Sequence, residues 1–452
     1  MAKSFRPYNP DQLLLLPQSM REWLPEDHLV YFVSDVVEAL NLGEIYGSYT
    51  EERGYPPYHP LLMTKLLLYG YCVGVRSSRK LERAMRQDVA FRILCAGEEP
   101  DFRTIAAFRT RHLGALDDLF LQVLRLCQEA GLAKLGHVAI DGTKVRANAS
   151  KHKAMSYARM VEEEARLKAE VRRILEESIR VDEEEDALYG PDKRGDELPE
   201  ELANPKTRLK KIQEAKAALE AEARERAEKG EAKTADVKEK AQRNFTDPDS
   251  RIMLNSDKAF VQAYNAQAAV DADHQVIVAA DVVQDANDKG QLVRMVEATA
   301  DNAGETPEVV SADAGYWAEE AVDQVESYDI EALVAPKKVR HREWREATLN
   351  EGPVPDDLST RERMVWTLKT ERGRAEYGKR KITVEPVFGH IKSARGFRQF
   401  LLRGHEKVRG EWTLACMAHN VLKLFGASVG NEGWKGLDTG LASATGGMGP
   451  GR

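Results

Sequence analysis

The sequence predicts a mixed α/β protein in which a helical region is followed by a sheet flanked by helices. Apolar residues recur with the spacing of helices up to about Leu135. From His137 onward they recur with the period of two that is typical of strands. Strand and helix patterns then alternate along the chain, which indicates a mixed sheet with crossover connections.

Length and composition limit the classes of protein to which the chain can belong. Its 452 residues are too many for one ordinary core, so we expect two or three domains. No apolar run approaches the roughly 20 residues of a membrane span, and the four leucines before Pro17 are too few for a secretory signal. The four cysteines are far apart and form no CxxC pair, which argues against a zinc site or a disulfide framework. We therefore expect a cytoplasmic protein that does not associate with membranes.

Residues 1–135 are predicted to form a helical domain. The stretch HPLLMTKLLLYGYCVG has Pro60 in a first helical turn and is apolar nearly all round, so this helix is expected to be buried. The next stretch, SSRKLERAMRQD, starts with a serine cap and carries basic residues mostly opposite Leu81 and Met85. The last helix of the domain is expected to end at Gly131.

A larger domain, residues 136–425, begins with strand patterns and contains a charged insertion. The stretch HVAIDGTKVRANAS predicts a strand that runs into Asp141-Gly142 and is followed by a second extended piece. Residues 151–245 are rich in Glu, Lys, Arg and Ala, and two sparse apolar stripes predict a helical hairpin there. The glycine-rich residues 426–452 are expected to be a flexible tail.

The rest of the larger domain is predicted to alternate between strands and helices. Two apolar runs around the turn DADH form a hairpin, and DKGQLVRMVEATADNAG forms a helix. PEVVSADAGYW is a short buried strand that ends at Asp313, and IEALVAP is another strand. A later helix is expected to begin with Thr383 as its cap and Pro386 in its first turn. Its apolar residues have helical spacing: Val384, Val387, Phe388 and Ile391.

Three acidic residues lie where side chains of different elements can converge. Asp141 and Asp313 each follow a buried apolar run, and strand ends are where sites form in open α/β sheets. Glu385 is on the helix whose apolar stripe should face that sheet. Converging carboxylates repel one another, and hard divalent cations such as Mg²⁺ remove this conflict because they bind oxygen ligands. Two such ions about 4 Å apart can activate an attacking oxygen and stabilise a leaving oxygen in phosphodiester cleavage.

Each of these acids also has a structural interpretation. An Asp before Gly at a strand end is most often a turn residue, and a Glu near a helix start stabilises the helix dipole. Nearby acids compete for the second position, namely Asp249, Asp271 and Asp281. The combination of two strand-end aspartates, a helix-borne glutamate and basic surroundings favours the functional interpretation.

The charge of the chain is distributed unevenly. The formal net charge is −8, but residues 336–410 contain 19 Lys or Arg and only 10 Asp or Glu. Between Arg372 and Arg409 there are eleven basic residues and three acids. Affinity for phosphate depends on local patches rather than on net charge. The chain is therefore compatible with a polyanionic partner.

These segments, in this order, resemble the DDE transposases of bacterial insertion sequences over about residues 10–425. DGTKVRANAS is similar to the segment with the family's first acid, and ADAGYW to the segment with the second. YGKRKITVEPVFGHIK is similar to the third, which has a Tyr-Arg-Glu-Lys signature. HPLLMTKLLLYGYCVGVRSSRKLE and PDFRTIAAFRTRH are similar to the domain before the catalytic core. The resemblance implies an RNase H-like fold for the catalytic domain.

The resemblance also implies roles for individual residues. Asp141, Asp313 and Glu385 would be the catalytic acids that hold the metal. In the third segment, Glu385 and Lys392 keep the six-residue gap of the signature.

The arginine of the signature has two candidates in this chain. Tyr377 and Arg380 keep the two-residue gap of the family. The gap from Arg380 to Glu385, however, is one residue longer than in the family, and the family's spacing to Glu385 would place Lys381 in the position of the arginine. We therefore expect Tyr377 and both basic residues to contact DNA. Seven further residues are expected to bind DNA. Three follow Glu385, namely Lys392, Arg395 and Arg398, and four are in the N-terminal domain, namely Arg76, Arg79, Lys80 and Arg83.

The resemblance implies an enzyme that binds the terminal inverted repeats of an insertion sequence. It would use two Mg²⁺ ions, for which Mn²⁺ can substitute, to cleave a strand at each end and to transfer it to target DNA. Two ends must be joined, so we expect a homodimer in the DNA complex, with the charged hairpin as a candidate contact. The expected location is the bacterial cytoplasm, at the nucleoid when DNA is bound. Two alternatives are an RNase H-like nuclease without strand transfer and a DNA-binding regulator with an inactive site.

Overall fold

A computed structural model describes most of the chain, and it divides these residues into two compact units. One unit comprises the residues up to Lys134 and those from Leu414 onward, and the other is Leu135–Thr413. The described residues are 20–49, 57–150, 153–189, 200–230, 234–255, 258–338, 348–355 and 357–430.

The first unit is helical, as the sequence predicts. A 3-10 helix, Met20–Trp23, precedes its α-helices: α1 Leu29–Ala39, α2 Gly43–Gly47, α3 Pro60–Cys72, α4 Ser78–Gln87, α5 Val89–Leu94, α6 Phe102–Arg111 and α7 Ala115–Glu129. Helix α3 has Pro60 in its first turn and is buried nearly all round, as expected from its apolar sequence. Ser77 is the N-cap residue of α4, but its side chain makes no capping hydrogen bond. After α7 the backbone of Gly131 is left-handed, which ends the helix.

The second unit is built on a six-stranded mixed sheet, which confirms the predicted fold class. Its strands are β1 His137–Arg146, β4 Arg251–Leu254, β5 Phe260–Asp271, β6 Ile277–Val283, β7 Val309–Ala312 and β8 Glu331–Val334. The order is β4-β5-β1-β7-β8, and β6 also pairs with β5. Strands β1, β7 and β8 are parallel, whereas β5 is antiparallel to β1, β4 and β6. The predicted hairpin around DADH is the β5–β6 pair.

Strand β1 does not turn at Asp141-Gly142, which corrects the predicted boundary. It continues to Arg146, and β5 supplies antiparallel partners along this whole length, for example Gln267 opposite Gly142. Because β5 hydrogen-bonds to this stretch, the Asp-Gly pair remains extended. The parallel pairing with β7 stops earlier, at Ile140, so Asp141 lies just beyond it.

Helices pack on the sheet, and one of them begins earlier than predicted. They are α10 Leu292–Ala303, α11 Glu319–Glu326, α12 Thr360–Leu368 and α13 Glu371–Gly389. The last helix, α14 His405–Gly430, begins in this unit, and its residues from Leu414 onward belong to the first unit. Helix α13, which contacts β1, β5, β7 and β8, is capped by Thr370 and not by Thr383. Thr383 is buried inside the helix, and its hydroxyl donates to the Lys379 carbonyl at 2.9 Å.

Pro386 lies inside α13 rather than in its first turn. A proline has no N–H, so the carbonyl four residues earlier lacks its helical donor. In this chain that carbonyl belongs to Ile382, and it accepts a hydrogen bond from Gln275 Nε2 at 2.8 Å. The turn between β5 and β6 thereby compensates for the proline. A π-helical turn, His390–Ala394, follows α13.

His137, at the start of β1, connects the sheet to α13. Its Nδ1 lies 2.8 Å from Glu376 Oε2, and its Nε2 lies 2.8 Å from Ser311 Oγ on β7. Burial lowers the pKa of His137, although the Glu376 carboxylate acts in the opposite direction.

The charged insertion contains the predicted helical hairpin, formed by α8 Tyr157–Tyr189 and α9 Glu200–Glu228. A short two-stranded sheet, β2 Ala154–Ser156 with β3 Gln242–Asn244, lies at its base. The two helices share a small core: Met160, Leu167, Ile212, Ala215 and Leu219. Residues 190–199, between the helices, lie outside the described residues.

The C-terminal helix, α14, extends to Gly430. Residues 431–452, most of the predicted flexible tail, lie outside the described residues. None of the helices in the described part of the chain is long and apolar enough to cross a membrane.

Candidate active site

Asp141 and Asp313 lie at the same edge of the sheet. Their strands, β1 and β7, are parallel neighbours, and the last paired residues, Ile140 and Ala312, directly precede the two acids. Asp141 Oδ1 accepts a hydrogen bond from the Gly142 amide at 2.8 Å. Asp313 caps the 3-10 helix Ala314–Tyr316, and its Oδ1 accepts from the Gly315 amide at 2.7 Å. The structure therefore brings together two of the three predicted acids.

The electrostatics of Asp141 indicate that acidic groups crowd around it. Burial raises the pKa of Asp141 to about 6, the nearby Arg380 guanidinium opposes this rise, and the Asp313 and Asp288 carboxylates add to it. A buried carboxyl group with two acidic neighbours is a site that favours a bound cation. Carboxylate oxygens are ligands that hard divalent cations prefer, so Asp141 and Asp313 fit such an ion.

Asp288, in the loop between β6 and α10, is a third acid at this edge that sequence reasoning missed. Its Oδ1 accepts hydrogen bonds from Asn265 Nδ2 at 2.6 Å, from Gln267 Nε2 at 2.9 Å and from Lys144 Nζ at 3.3 Å. The Tyr316 hydroxyl donates to Gln267 Oε1. One network thus connects β1, β5, the Asp288 loop and the turn after Asp313. The side-chain amides of Asn265 and Gln267 lie in an otherwise apolar buried strand, where they need hydrogen-bond partners. Their presence in the sequence could have indicated a polar partner such as Asp288.

Two glycines allow the acids to approach each other. A Cβ at Gly142 would lie 2.4 Å from Gln267 Nε2 and 2.6 Å from Asp288 Oδ1. A Cβ at Gly315 would lie 2.9 Å from Asp313 Oδ1 and 3.5 Å from Asp288 Oδ2. Because Asp313 and Asp288 both lie near this one point, a side chain at Gly315 would separate the two carboxylates.

The rival acids have structural partners instead. Asp271 caps the β5–β6 turn through the amides of Asp273 and His274. Asp281 forms an ion pair with Arg294 at 2.5 Å. Asp249 Oδ2 accepts from the amide at the start of α14 at 3.0 Å.

Helix α13 places a basic residue directly on Asp141. Arg380 Nη1 lies 3.5 Å from Asp141 Oδ2, and only 12% of the Arg380 side chain is exposed. Its guanidinium carbon lies 5.7 Å from the centre of the Tyr377 ring. Lys381 is exposed and lines a cleft beside Asp313. Of the two candidates for the signature arginine, Arg380 is the one that contacts an acid.

Glu385 is exposed and is not in contact with the aspartates. No described residue forms a hydrogen bond or an ion pair with it, and no group of three acidic, His or Cys side chains in the described ranges has the geometry to hold one metal ion. Lys381 is four residues before Glu385, so these two lie on one side of α13, and Lys392 lies in the π-helical turn that follows the helix. Lys392 Nζ donates to Thr143 Oγ1 at 2.5 Å, two residues from Asp141.

The remaining predicted DNA-binding residues differ in exposure. Arg398 is exposed and its Nε donates to the Lys392 carbonyl at 3.3 Å, whereas Arg395 is buried. In the first unit Arg79, Lys80 and Arg83 are exposed on α4, with Arg79 4.7 Å from the centre of the Phe102 ring. Arg76, before α4, is half-buried, and its carbonyl accepts from Arg109 Nη1 at 3.0 Å.

Comparison with known families identifies both ends of the chain. Residues 18–111 match a family model described as a transposase domain. Residues 340–425 match a family model described as a transposase DDE domain. Together the two matches support a DDE transposase of insertion-sequence type. No curated protein and no solved structure matches it.

The two matches cover specific parts of the transposase. The first includes the basic helix α4, and the second includes α13 with Arg380, Glu385 and Lys392. Asp141 and Asp313 precede the DDE match. Transposases act on DNA, and DDE domains generally use a divalent metal ion. Asp141 and Asp313, at one edge of the sheet, supply carboxylate oxygens of the kind that hard divalent cations bind.

Proposed function

We propose that this transposase binds the terminal inverted repeats of its element, cleaves a strand at each end and transfers it to target DNA. The observation that carries this proposal is the position of Asp141 and Asp313 on neighbouring parallel strands beneath the basic helix α13. Acids that bind metal and cations that bind phosphate are both required for phosphoryl transfer, which depends mainly on positioning and charge stabilisation.

Asp141, Asp313 and Glu385 would hold two Mg²⁺ ions, with Mn²⁺ able to substitute. Bound there, the ions supply Lewis acidity to the attacking and leaving oxygens. Glu385 is included because the resemblance to the family implies it, and it keeps the six-residue gap of the signature to Lys392, which reaches β1 beside Asp141.

The reaction consists of two displacements at phosphorus. In the first, a water oxygen bonds to the phosphorus at the element end and the P–O3′ bond breaks, which leaves a free 3′-OH. In the second, that 3′ oxygen bonds to a target phosphorus and a target P–O3′ bond breaks. Arg380 is close enough to the acids to contact the reacting phosphate, and Lys392 would hold the adjoining backbone.

The other parts of the chain would recognise and pair the ends. Helix α4 presents Arg79, Lys80 and Arg83 to DNA. The hairpin α8–α9 is a candidate contact between the two chains of a homodimer. If so, the chain with end duplexes should sediment as a complex of two chains and two ends. A variant in which residues 157–228 are replaced by a short linker should bind single ends without pairing them.

The test is a reaction of the full chain and Mg²⁺ with a supercoiled plasmid that carries both element ends. Wild type should yield cut ends and insertion products. Asp141→Asn, Asp313→Asn and Glu385→Gln should each abolish both products while DNA binding survives. Asp281→Asn, a rival acid paired with Arg294, is the control and should remain active.

Other outcomes of this reaction contradict parts of the proposal. Cut ends without insertion would indicate a nuclease, and binding without any product would indicate a regulator. An active Glu385→Gln variant would exclude Glu385 as the third acid. An active Asp313→Asn variant together with an inactive Asp281→Asn variant would move the second acid to β6.

A further inference from the structure

A basic cleft opens next to Asp313, on the side away from β1. Strand β8 is parallel to β7, so its carboxyl end lies at the same edge of the sheet as Asp313. The chain continues from β8 to Lys337 and Lys338, and these form one wall of the cleft. Tyr377 and Arg380 of α13 form the opposite wall. The cleft has a volume of about 620 Å³.

The charge of this cleft suits a phosphate-rich ligand. Among the described residues that line it, four are cations, namely Lys337, Lys338, Arg380 and Lys381, and one, Asp313, is a carboxylate. Lys337 and Lys338 are exposed, and neither forms an ion pair with any described residue. These two lysines line the same cavity as Arg380 and Lys381. Such an arrangement becomes favourable when a polyanion enters.

The size of the cleft indicates an unpaired strand rather than a duplex. Concave sites of roughly 300–1,000 Å³ enclose small ligands, and the volume here is in the range of one or two nucleotides. A duplex presents its phosphates on a convex surface and cannot enter a cavity of this size. Sites for single strands combine a basic groove with aromatic and Arg side chains, and the wall formed by Tyr377 and Arg380 has this composition.

The cleft and Lys392 lie on opposite sides of the acids. Lys392 bonds to Thr143 on β1, beside Asp141, while Lys337 and Lys338 follow β8, beyond Asp313. A strand that passes over Asp141 and Asp313 would therefore meet Lys392 on one side and the cleft on the other.

We propose that the cleft between Lys337–Lys338 and Tyr377–Lys381 binds an unpaired stretch of the DNA strand that leads to the reacting phosphate. Lys337 and Lys338 contact its phosphates. The assignment of this strand to an element end rests on the proposed function. Binding of the strand to the cleft can be measured without cleavage and without metal.

The experiment measures binding of fluorescein-labelled oligothymidine of eight nucleotides to the full chain in EDTA, at several salt concentrations. Each phosphate contact on a single strand contributes roughly 0.7 to the slope of log K against log salt. The double variant Lys337→Gln/Lys338→Gln should therefore reduce the slope by about 1.4. At about 0.1 M salt its affinity should be at least roughly tenfold lower. Lys369→Gln, an exposed lysine that does not line the cleft, should match wild type.

Two further readouts locate the strand. An oligonucleotide containing 5-iodouracil should cross-link to Tyr377, and the double variant should lower the yield of this product. For a blunt duplex of the same length, the affinity of the double variant should be less than about threefold below that of wild type. Unchanged melting temperatures would show that both variants are folded.

An unchanged salt slope and cross-link in the double variant would overturn the inference. Equal losses for duplex and single strand would also overturn it, because the cleft would then not select unpaired DNA. The proposed function is tested separately by the plasmid reaction. If the chain binds the oligonucleotide as expected but does not cut the plasmid, the inference about the cleft is supported and the proposed function is contradicted.

Discussion

Replacing Gly142 with alanine tests how tightly the polar network behind Asp141 is packed. A Cβ at this position would lie 2.4 Å from Gln267 Nε2, 2.6 Å from Asp288 Oδ1 and 2.9 Å from Asn265 Oδ1. All three atoms belong to side chains bonded to one another through Asp288, so none can move without disturbing the others. The substitution should therefore break at least one hydrogen bond to the Asp288 carboxylate.

The expected cost follows from these contacts. A hydrogen bond to a charged group contributes about 1.5–3 kcal/mol, and overpacking a filled site costs about 1–3 kcal/mol. We expect Gly142→Ala to lower the free energy of unfolding by about 2–4 kcal/mol. The second unit spans Leu135–Thr413, and for a unit of this size the corresponding fall in melting temperature is roughly 3–7 °C.

The matched control is Gly136→Ala, one residue before β1. A Cβ there would meet no atom within 4 Å, and the backbone is not left-handed. Calorimetry of the full chain should therefore show a shift for Gly142→Ala and none for Gly136→Ala. If the two variants melt within about one degree of each other, the network is not packed as its distances indicate.

Two further predictions concern α13 and the sheet beneath it. Arg380→Met should slow plasmid cleavage about 100-fold, which is the effect of losing one donor at a reacting group. Lys381→Met should only weaken DNA binding by a few-fold. If the two variants have equal effects on cleavage and on binding, Arg380 and Lys381 do not have these separate roles. The pKa of His137 is lowered by burial, so the folded chain holds this ring neutral where the unfolded chain protonates it. Its contribution to stability is therefore complete above the unfolded pKa, about 6.5, and is lost as the pH falls below that value. In urea unfolding, His137→Gln should lose less stability than wild type between pH 7.5 and 5.5, and equal losses would show that His137 does not titrate in this way.

The sheet could be predicted from the sequence because its buried strands have distinctive local patterns. The apolar runs before Asp141 and Asp313 are buried in β1 and β7, as predicted, and the parallel pairing of these two strands places both acids at one edge. The extent of β1 could not be predicted, because Asp-Gly is a turn signal and its extended conformation depends on pairing with β5, more than a hundred residues away.

The start of α13 was mispredicted for a related reason. Thr383 and Pro386 form a local pattern that is typical of a helix N-terminus. The helix tolerates the proline because Gln275 satisfies the Ile382 carbonyl, and no local pattern reveals a partner on another element. Asp288 was missed in the same way, since a loop aspartate gains meaning only from the buried amides of β5.

The corrected helix changes the argument for Glu385. Near a helix start, a glutamate could be explained by the helix dipole, but α13 begins at Glu371, so Glu385 lies almost four turns inside it. The dipole effect is confined to the first and last turns and does not account for this acid. Lys381, which lines the cleft beside Asp313, lies on the same side of the helix as Glu385, and Lys392, which bonds to β1 beside Asp141, follows in the π-helical turn. Glu385 is exposed and pairs with no described residue, so its proposed role as the third acid depends on the outcome of the Glu385→Gln reaction.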